Sequence, residues 1–381
     1  MSLLDVAIVG AGPVGATLAA LAAASGRSIE LFEARSAAST DPRTLALSHA
    51  SRELLESAGA WPAAEATPIT SIHISQQGGP GRTLLEAREQ RLPALGYTLA
   101  FSALESALAR QLGNQAVPVH YGESCAEIEL SPEQAWVRFA SGREIRARLL
   151  VLADGGANAT KIPGIGFHEK DYAQLAVVGA VRTDRPHGGR AYERFTPQGP
   201  MALLPVDERY ALVWTAAPAE ARRLLMLAPE EFLRELQGCF GDRAGRFASI
   251  EGRVAFPLRL RAVNASIALR TAIVGNAAQA LHPVAGQGLN LGLRDAAELA
   301  TAIAASPAQA LGGMPMLDAY RIARRRDAAR GLAFTDLLVS IFADGRRVPT
   351  WGRGLALAAL DLFPPARRLL AERMIHGAPS P

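Results

Sequence analysis

The sequence predicts an α/β fold in which a mainly parallel sheet and an antiparallel sheet share the chain in pieces. Three observations predict it. A strand–helix–strand pattern occupies residues 4–33, short alternating apolar stretches occupy residues 172–262, and a buried strand followed by a helix returns at residues 271–305. Alternation is typical of antiparallel strands with one covered face, whereas parallel strands are joined by helices. Because the parallel elements lie on both sides of the alternating stretch, we expect two interleaved parts.

The length and composition are those of a folded chain of two or three structural units. The chain has 381 residues, of which 49% are apolar and 20% are charged, so disordered and fibrous classes are excluded. The net charge of +4 is too small to argue for a nucleic-acid binder, which usually shows a basic stripe. The two cysteines, Cys125 and Cys239, and the seven histidines have no disulfide-framework or metal-ligand spacing, so we expect no metal site and a reducing compartment.

The first 33 residues predict two parallel strands and a connecting helix. Residues 4–9 are short and β-branched and predict a buried strand, residues 13–25 predict a helix with Gly26 near its end, and residues 28–33 predict a second strand. The uncharged run at residues 6–26 is long enough to cross a membrane, but glycines break it and no basic segment precedes it. We therefore expect neither a transmembrane helix nor an export signal.

The following residues predict mixed helices and strands. Residues 44–59 look helical, and residues 102–112 have helical period, with Ser102 and Glu105 placed as a capping box. The periodicity predicts further helices at residues 229–240 and 286–305 and across most of 317–375. Predicted strands occupy residues 69–76, 82–87, 117–121, 126–130, 135–140, 149–153, 175–182, 191–195, 201–205, 210–216, 252–258 and 271–275.

The clearest motif is the glycine pattern between the first strand and the first helix. Gly10 permits a tight turn, Gly12 lets the backbone approach a pyrophosphate, and Gly15 lets helix and strand pack closely. Pro13 opens the helix, whose free amides and dipole favour phosphate. Glu33 ends the second strand, where a carboxylate can accept hydrogen bonds from adenosine ribose hydroxyls. The pattern predicts a Rossmann-like dinucleotide site and leaves FAD and NAD open.

Five segments resemble one family. They are GAGPVG at 10–15, RTLALSHASRELLESAGAW at 43–61, LADGG at 152–156, GRAYERFTPQGPMALLPV at 189–206 and HPVAGQGLNLGLRDAAELA at 282–300. The chain resembles the aromatic-ring hydroxylases of the flavin monooxygenase class, which have the p-hydroxybenzoate hydroxylase fold. Within that class it looks most similar to the ubiquinone-biosynthesis hydroxylases, especially the 2-polyprenyl-6-methoxyphenol hydroxylase branch. The resemblance covers almost the whole chain.

The resemblance implies a division of the chain. It implies a discontinuous, Rossmann-like FAD-binding domain at residues 1–68, 97–171 and 263–340. A substrate domain on an antiparallel sheet would occupy residues 69–96 and 172–262. Residues 341–381 would form a C-terminal helical segment.

The resemblance also implies cofactor-binding residues beyond the glycine motif. Arg43 would lie against the flavin nucleotide, the alternative being a solvated loop arginine. Asp154 and Gly155 match an Asp-Gly motif that approaches the FAD pyrophosphate and is linked to nicotinamide-cofactor use, the alternative being a plain turn. Asn276 stands where the family has an aspartate that binds the ribityl chain.

The segment that opens the helix near residue 286 is implied to meet the flavin ring. The backbone amides of Gly286, Gln287 and Gly288 would face its pyrimidine edge, and the helix dipole would stabilise the anionic reduced flavin. Asn290 continues that turn, or is simply a residue of the first helical turn. His282 and Pro283 would lie near the flavin, although His282 could equally serve to orient the Pro283 turn. No residue is assigned as a catalytic acid or base.

Four residues depart from the family pattern, all of them on the cofactor side. Asn276 replaces the aspartate, Gln279 replaces a histidine, Ser102 replaces an arginine at the start of a helix, and Asn158 replaces a serine. Asn276 can still hydrogen-bond a hydroxyl, without charge assistance.

The function predicted from the resemblance is FAD-dependent hydroxylation of a polyprenylated phenol in ubiquinone biosynthesis. NADH or NADPH would dock transiently and reduce the flavin, O2 would add at flavin C4a, and the hydroperoxide would transfer OH to the ring. Tyr192, Arg194 and Phe195 are candidate walls of the substrate pocket. The departures at Asn276, Gln279 and Ser102 leave a second hypothesis: a non-catalytic relative acting as an assembly or lipid-presenting partner of the ubiquinone-biosynthesis hydroxylases. A third is a flavin hydroxylase of another aromatic compound.

The C-terminal part, residues 317–375, contains apolar residues beside clusters of arginine. Within it, residues 354–375 look amphipathic in their second half. Two hypotheses remain open. The segment is either a helix that covers the core, or a contact with a membrane surface or another protein. We expect a cytoplasmic protein, with peripheral contact at the inner face of the cytoplasmic membrane under the second hypothesis.

Overall fold

The fold is described from a computed structural model. The structure describes residues 3–37, 41–79, 81–280 and 287–325 and the single residues 363, 372 and 375. His282, Pro283, Gly286, the side chain of Gln287 and most of the C-terminal segment therefore lie outside the described residues.

The described residues form these strands, in chain order: β1 Leu3–Val9, β2 Ile29–Glu33, β3 Thr44–Ser48, β4 Thr67–Ile69, β5 Ser71–Gln76, β6 Arg82–Glu86, β7 Gly96–Ala100, β8 Val119–Tyr121, β9 Cys125–Leu130, β10 Ala135–Phe139, β11 Glu144–Leu152, β12 Phe167–Thr183, β13 Arg190–Thr196, β14 Gly199–Val206, β15 Arg209–Ala216, β16 Phe247–Val263, β17 Ile267–Ala268, β18 Thr271–Ile273 and β19 Gln279–Ala280. The helices are α1 Pro13–Ala22, α2 His49–Ser57, α3 Phe101–Asn114, α4 Pro218–Met226, α5 Pro229–Phe240, α6 Gln287–Ala305 and α7 at 314–325.

The first sheet has the order β17-β18-β11-β1-β2-β8, and β9 and β10 extend it through an antiparallel pairing with β11. Strand β1 pairs in parallel with both β2 and β11. Its two faces are buried in separate cores: Val6 and Ile8 pack in the core that includes α1, α3 and α6 residues, whereas Ala7 and Val9 pack with side chains of β9 and β10. Burial on both sides explains why residues 6–9 of β1 are all apolar.

The second sheet has the order β19-β16-β12-β15-β14-β13-β5-β6 and is antiparallel except where β13 meets β5. One face is covered, because Tyr210, Leu212 and Trp214 are buried in a core with Phe232 and other side chains of α4 and α5. The two sheets draw their strands from alternating parts of the chain, as the sequence predicts. The domain boundaries themselves stay a prediction.

A third sheet, in the order β3-β7-β4, corrects one predicted element. Residues 44–59 are not one helix, because Thr44–Ser48 pairs with β7 and only His49–Ser57 is helical. Ser48 ends the strand and caps the helix, and its hydroxyl accepts a hydrogen bond from the Ser51 amide at 3.2 Å. The pairing partner, β7, is remote in sequence, so the helical pattern of the segment is overridden by a tertiary contact.

The predicted capping box of α3 is also wrong. The helix begins at Phe101, and its N-cap residue, Ala100, makes no side-chain cap. Ser102 is exposed, and Glu105 instead pairs with Arg35 at 2.9 Å. Helix α4 was not predicted at all. None of the helices in the described part of the chain has the length and hydropathy needed to cross a membrane.

Candidate active site

The turn between β1 and α1 leaves no room for side chains at two of its glycines. Gly10 has a φ of +104°, and a Cβ atom there would lie 2.6 Å from the carbonyl oxygen of Ala153. A Cβ atom on Gly15 would lie 2.1 Å from the carbonyl oxygen of Gly10. Both distances are far below van der Waals contact, so glycine is required. The turn therefore packs directly on the segment that follows β11.

Gly12 differs from these two glycines because a Cβ atom on it would meet no atom of the described residues within 4 Å. Gly12 is the N-cap of α1, it makes no side-chain cap, and Pro13 follows it. No side chain therefore caps the amides at the start of α1, and the space beside the Gly12 Cα is open among the described residues. A helix start with free amides and no side chain before it fits a pyrophosphate.

Glu33 lies buried beside this turn. Its Oε2 accepts a hydrogen bond from the Ala11 amide at 2.9 Å, and its Oε1 accepts from the amide and the Nε of Arg35 at 3.0 and 2.9 Å. Burial alone would raise the pKa of Glu33, but these hydrogen bonds outweigh it and lower the pKa. The carboxylate is therefore ionised at neutral pH. Oε1 accepts two hydrogen bonds and Oε2 one, so Oε2 keeps a lone pair for a ligand hydroxyl, as the predicted ribose contact requires.

Asp154 and Gly155 form a closed turn. Asp154 Oδ1 accepts a hydrogen bond from the Gly156 amide at 2.9 Å, and Oδ2 accepts from the backbone and side-chain amides of Asn158 at 2.9 and 2.6 Å. Gly155 is exposed, with a φ of +71°. The Cα atom of Asp154 would lie 2.8 Å from a Cβ on Gly10, so this turn adjoins the glycine motif.

Asn276 is exposed and lies on the turn between β18 and β19. The preceding Gly275 has a φ of +61°, and a Cβ atom on it would lie 2.9 Å from Val14 of α1. A Cβ atom on Gly288 would lie 3.9 Å from Asn276 Oδ1. The start of α6, the 275–277 turn and the start of α1 thus converge.

A buried polar network supports this turn from behind. Asp295 accepts hydrogen bonds from the Gly275 amide at 3.0 Å, from Gln279 Nε2 at 2.9 Å and from Arg324 Nε at 2.7 Å. Asp295 and Arg324 are both nearly inaccessible to solvent. Gln279 therefore acts as an internal donor rather than facing the site.

Asn290 ties α6 to the segment that follows Arg43. Its Oδ1 accepts hydrogen bonds from the Ser48 amide and the Ser51 hydroxyl, each at 2.8 Å, and its Nδ2 donates to the Ala46 carbonyl at 3.1 Å. The side chain is buried. These hydrogen bonds use both polar atoms of the Asn290 side chain in contacts within the protein.

Arg43 is half-exposed and pairs with Asp41, with Nε and Oδ2 2.8 Å apart. Its guanidinium lies 6.0 Å from the centre of the Phe101 ring, and its carbonyl accepts a hydrogen bond from the Phe101 amide. Arg43 thus stands at the start of α3, beside Ser102.

The candidate pocket residues lie on opposite faces of the second sheet. The Tyr192 hydroxyl donates to the Arg243 carbonyl at 2.9 Å and Arg194 Nε donates to the Cys239 carbonyl at 2.9 Å, so both side chains lie on the face covered by α5. Phe195 packs on the other face, with Ile74 among its neighbours. Successive side chains of a strand alternate between faces, and this alternation separates them.

Sequence reasoning missed Glu193, which shares the face of Phe195. Glu193 is half-buried, and burial raises its pKa to about 8. The sequence contains a signal for it. Ala191, Glu193 and Phe195 are spaced two residues apart and so share one face of a strand, and Glu193 is the charged residue among them.

Comparison with known proteins identifies relatives over nearly the whole chain. A family model described as FAD binding domain matches residues 3–335. The chain is 36% identical to the ubiquinone hydroxylase UbiL of Rhodospirillum rubrum, over 96% of this chain and 88% of that protein. It is 30% identical to the 3-demethoxyubiquinol 3-hydroxylase of Escherichia coli, over 94% of each.

Among solved structures, the p-nitrophenol 4-monooxygenase PnpA of Pseudomonas putida aligns over 100% of both chains with a TM-score of 0.79 and 20% identity. The predicted fold, the predicted cofactor FAD and the predicted resemblance to ubiquinone-biosynthesis hydroxylases are confirmed by these matches. The named relatives are hydroxylases, which favours the catalytic hypothesis over the non-catalytic one.

Proposed function

Because the chain belongs to the FAD-binding domain family, we propose that it is an FAD-dependent monooxygenase that hydroxylates a polyprenylated phenol in ubiquinone biosynthesis, with O2 as co-substrate and NADH or NADPH as reductant. The observation that carries the proposal is the 36% identity to a ubiquinone hydroxylase over 96% of the chain. When bound, FAD supplies the activation of dioxygen, and the protein supplies binding, orientation and electrostatics.

The residues around α1 fit the adenosine end of FAD. The amides at the open start of α1, beside Gly12, would hold the pyrophosphate. The ionised Glu33 would accept a hydrogen bond from a ribose hydroxyl. Asp154, which packs against Gly10, and the following Gly155 would close the pyrophosphate site from the other side.

The residues around α6 fit the flavin end. Asn276 would hydrogen-bond the ribityl chain, and the amides of Gly286, Gln287 and Gly288 would face the ring. Asn290 would keep the start of α6 in place through its bonds to Ser48 and Ser51. Arg43 would face the flavin nucleotide, and His282 and Pro283 would lie beside the ring.

The division into an FAD-binding domain at residues 1–68, 97–171 and 263–340 and a substrate domain at residues 69–96 and 172–262 is part of the proposal. The composition of the two large sheets supports it, because the first sheet takes strands from 3–33, 119–152 and 267–273. The short strand β19, Gln279–Ala280, joins the second sheet. It would couple the two domains beside Asn276.

The experiment that tests the proposal compares two glycine-to-alanine variants. Gly12→Ala places a methyl group in the open space before α1, and Gly238→Ala does the same at a site on α5 that also has nothing within 4 Å. We expect Gly12→Ala to weaken FAD binding at least tenfold with an unchanged melting temperature of the flavin-free protein. Gly238→Ala should bind FAD normally.

Activity is then measured as NADH and NADPH oxidation with a prenylated phenol, with product analysis in a ubiquinone-pathway mutant. A protein that takes up no flavin at saturating FAD would contradict the proposal and leave the non-catalytic partner as the function. A flavoprotein that hydroxylates other phenols but restores no ubiquinone would contradict the assigned substrate alone.

We also propose peripheral contact with the inner face of the cytoplasmic membrane, and proximity to other ubiquinone-biosynthesis proteins, because the proposed substrate is a lipid. Phe363 supports it, as a large apolar side chain that is 60% exposed. Liposome flotation of the natural protein and of Phe363→Ser tests it. Equal recovery of the two in the lipid fraction would remove Phe363 from the contact, and no flotation of either would remove the contact.

A further inference from the structure

The second sheet has a face that α4 and α5 do not cover, which we call the open face. Its central side chains are apolar, yet none of them belongs to a hydrophobic core of the described residues. Two of them, Val254 and Phe256, are 39% and 38% exposed. The group comprises Val178, Ala202, Leu204, Val213, Val254 and Phe256.

The pairing register places Glu193 at one end of an apolar row on this face. Glu193 of β13 lies opposite Ala202, Ala202 opposite Val213, and Val213 opposite Val178, which lies opposite Val254. Neighbouring strands lie about 4.8 Å apart, so this row runs roughly 19 Å from the carboxyl group. The open face thus combines one polar group with a long apolar strip.

The open face lies on the side of the sheet that carries β7. Ile74 and Phe195 of this face pack in one cluster with Leu95, the residue before β7. At the other end, the Thr98 hydroxyl of β7 donates a hydrogen bond to the Pro205 carbonyl of β14. Strand β7 pairs with β3, which Asn290 ties to α6. The face is therefore joined through the small sheet to the proposed flavin site.

The carboxyl group of Glu193 has no partner among the described residues, either as an ion pair or as a hydrogen bond. Its described cross-strand neighbours, Ala202 and Ile74, are apolar, and burial raises the pKa of Glu193 to about 8. A half-buried carboxyl group without a partner is costly to the fold, and such groups are concentrated at binding sites. A protonated carboxyl group can both donate and accept a hydrogen bond.

We propose that Glu193 binds the ring hydroxyl of the substrate and that the row from Ala202 to Val254 binds its apolar tail. The phenolic O–H donates to the carbonyl oxygen of the carboxyl group, which fixes the ring at one end of the row. This inference rests on the proposed function. It makes Glu193 a specificity residue that selects a neutral phenol with an apolar tail over a ring acid such as 4-hydroxybenzoate, whose charge would be placed on an apolar surface.

The experiment measures binding to the flavin-loaded protein by calorimetry and by the visible spectrum of bound FAD. The probes are 2-prenylphenol and its methyl ether, which has no hydroxyl donor. We expect the natural protein to bind the phenol about tenfold more tightly than the ether. Glu193→Leu should abolish this preference while binding the ether as well as before, whereas Glu193→Gln should retain it because the amide carbonyl still accepts.

The matched control is Glu208→Leu, which changes the same residue type in the turn between β14 and β15, where the side chain is 89% exposed. It should leave both affinities unchanged. A phenol preference that persists in Glu193→Leu would overturn the role of Glu193 while leaving the proposed function intact. A flavin-loaded natural protein that binds neither probe would overturn the phenolic substrate and the role of Glu193 together. If Glu193→Leu does not fold, loss of the preference in Glu193→Gln, with the ether still bound, would overturn the hydrogen bond as described.

Discussion

Glu193 makes the stability of the protein depend on pH, and Glu193→Gln should remove that dependence. The pKa of Glu193 is raised from the ordinary value of 4.5 to about 8 by burial. A raised pKa means that the native state holds a proton that the unfolded chain releases above pH 4.5. The contribution of the carboxyl group to stability is therefore fully present below pH 4.5 and is lost as the pH rises through about 8.

The magnitude follows from the two pKa values. At 1.36 kcal/mol for each tenfold change in proton affinity, the interval between 4.5 and about 8 corresponds to about 5 kcal/mol for a fully desolvated group. The side chain is only half-buried, and solvent screening reduces this figure to about 2–3 kcal/mol. Glutamine has the same shape and does not titrate. The natural protein should therefore lose about 2–3 kcal/mol relative to Glu193→Gln between pH 5 and pH 9.

Urea unfolding of the flavin-free protein at a series of pH values, at fixed ionic strength, measures this difference. The control is Glu208→Gln, whose side chain is 89% exposed and should leave the pH profile unchanged. Other groups titrate in this range, but they are common to both proteins and cancel in the comparison. Parallel pH profiles for the natural protein and Glu193→Gln would refute the reasoning, because they would mean that the carboxyl group is solvated as in the unfolded chain.

Three further substitutions test the cofactor side. Gly15→Ala places a methyl group 2.1 Å from the Gly10 carbonyl oxygen. We expect this overpacking to lower the free energy of unfolding by about 3 kcal/mol or more, measured by urea unfolding. Asn290→Ala removes three hydrogen bonds from α6 to the β3–α2 segment, which should cost about 2–4 kcal/mol and weaken FAD binding in a flavin titration. Gln279→Leu removes one donor to Asp295 and should cost about 1–3 kcal/mol, with retained flavin binding in a fluorescence titration. Unchanged unfolding midpoints would contradict each of these expectations.

The parts of the fold that the sequence predicts well are the local ones. The strand–helix–strand unit at residues 3–33 lies within one short segment, and its glycine spacing has a direct steric cause in the close approach of Gly15 to Gly10. The antiparallel stretch could be predicted from alternation alone. Conversely, residues 44–48 carry a helical pattern but form strand β3. Their pairing partner, β7, lies about fifty residues later in the chain, and the local pattern carries no information about it.

The substrate side could be predicted only in part, because the segment of residues 189–206 does not reveal which of its alternating side chains faces the site. A strand has period two, so a change of one residue exchanges the two faces. Tyr192 and Arg194 are predicted walls of the pocket, but their hydrogen bonds place them on the face covered by α5. Glu193 lies between them and faces the open side. Only the pairing of β13 with β14 decides between these faces.

Two of the four departures from the family pattern, Asn158 and Gln279, make hydrogen bonds to buried or half-buried carboxylates. Asn158 replaces a serine, and its side-chain amide donates to Asp154 at 2.6 Å. Gln279 replaces a histidine, and its amide donates to Asp295 at 2.9 Å. In both cases the new side chain supplies an N–H donor, so the carboxylate of the turn has a hydrogen bond. Asn276 and Ser102 are both exposed. The amide of Asn276 can still hydrogen-bond a ribityl hydroxyl, whereas nothing in the structure explains the replacement at Ser102. The hydrogen bonds of Asn158 and Gln279 support the two turns that would contact FAD, which favours a working flavoprotein over a non-catalytic relative.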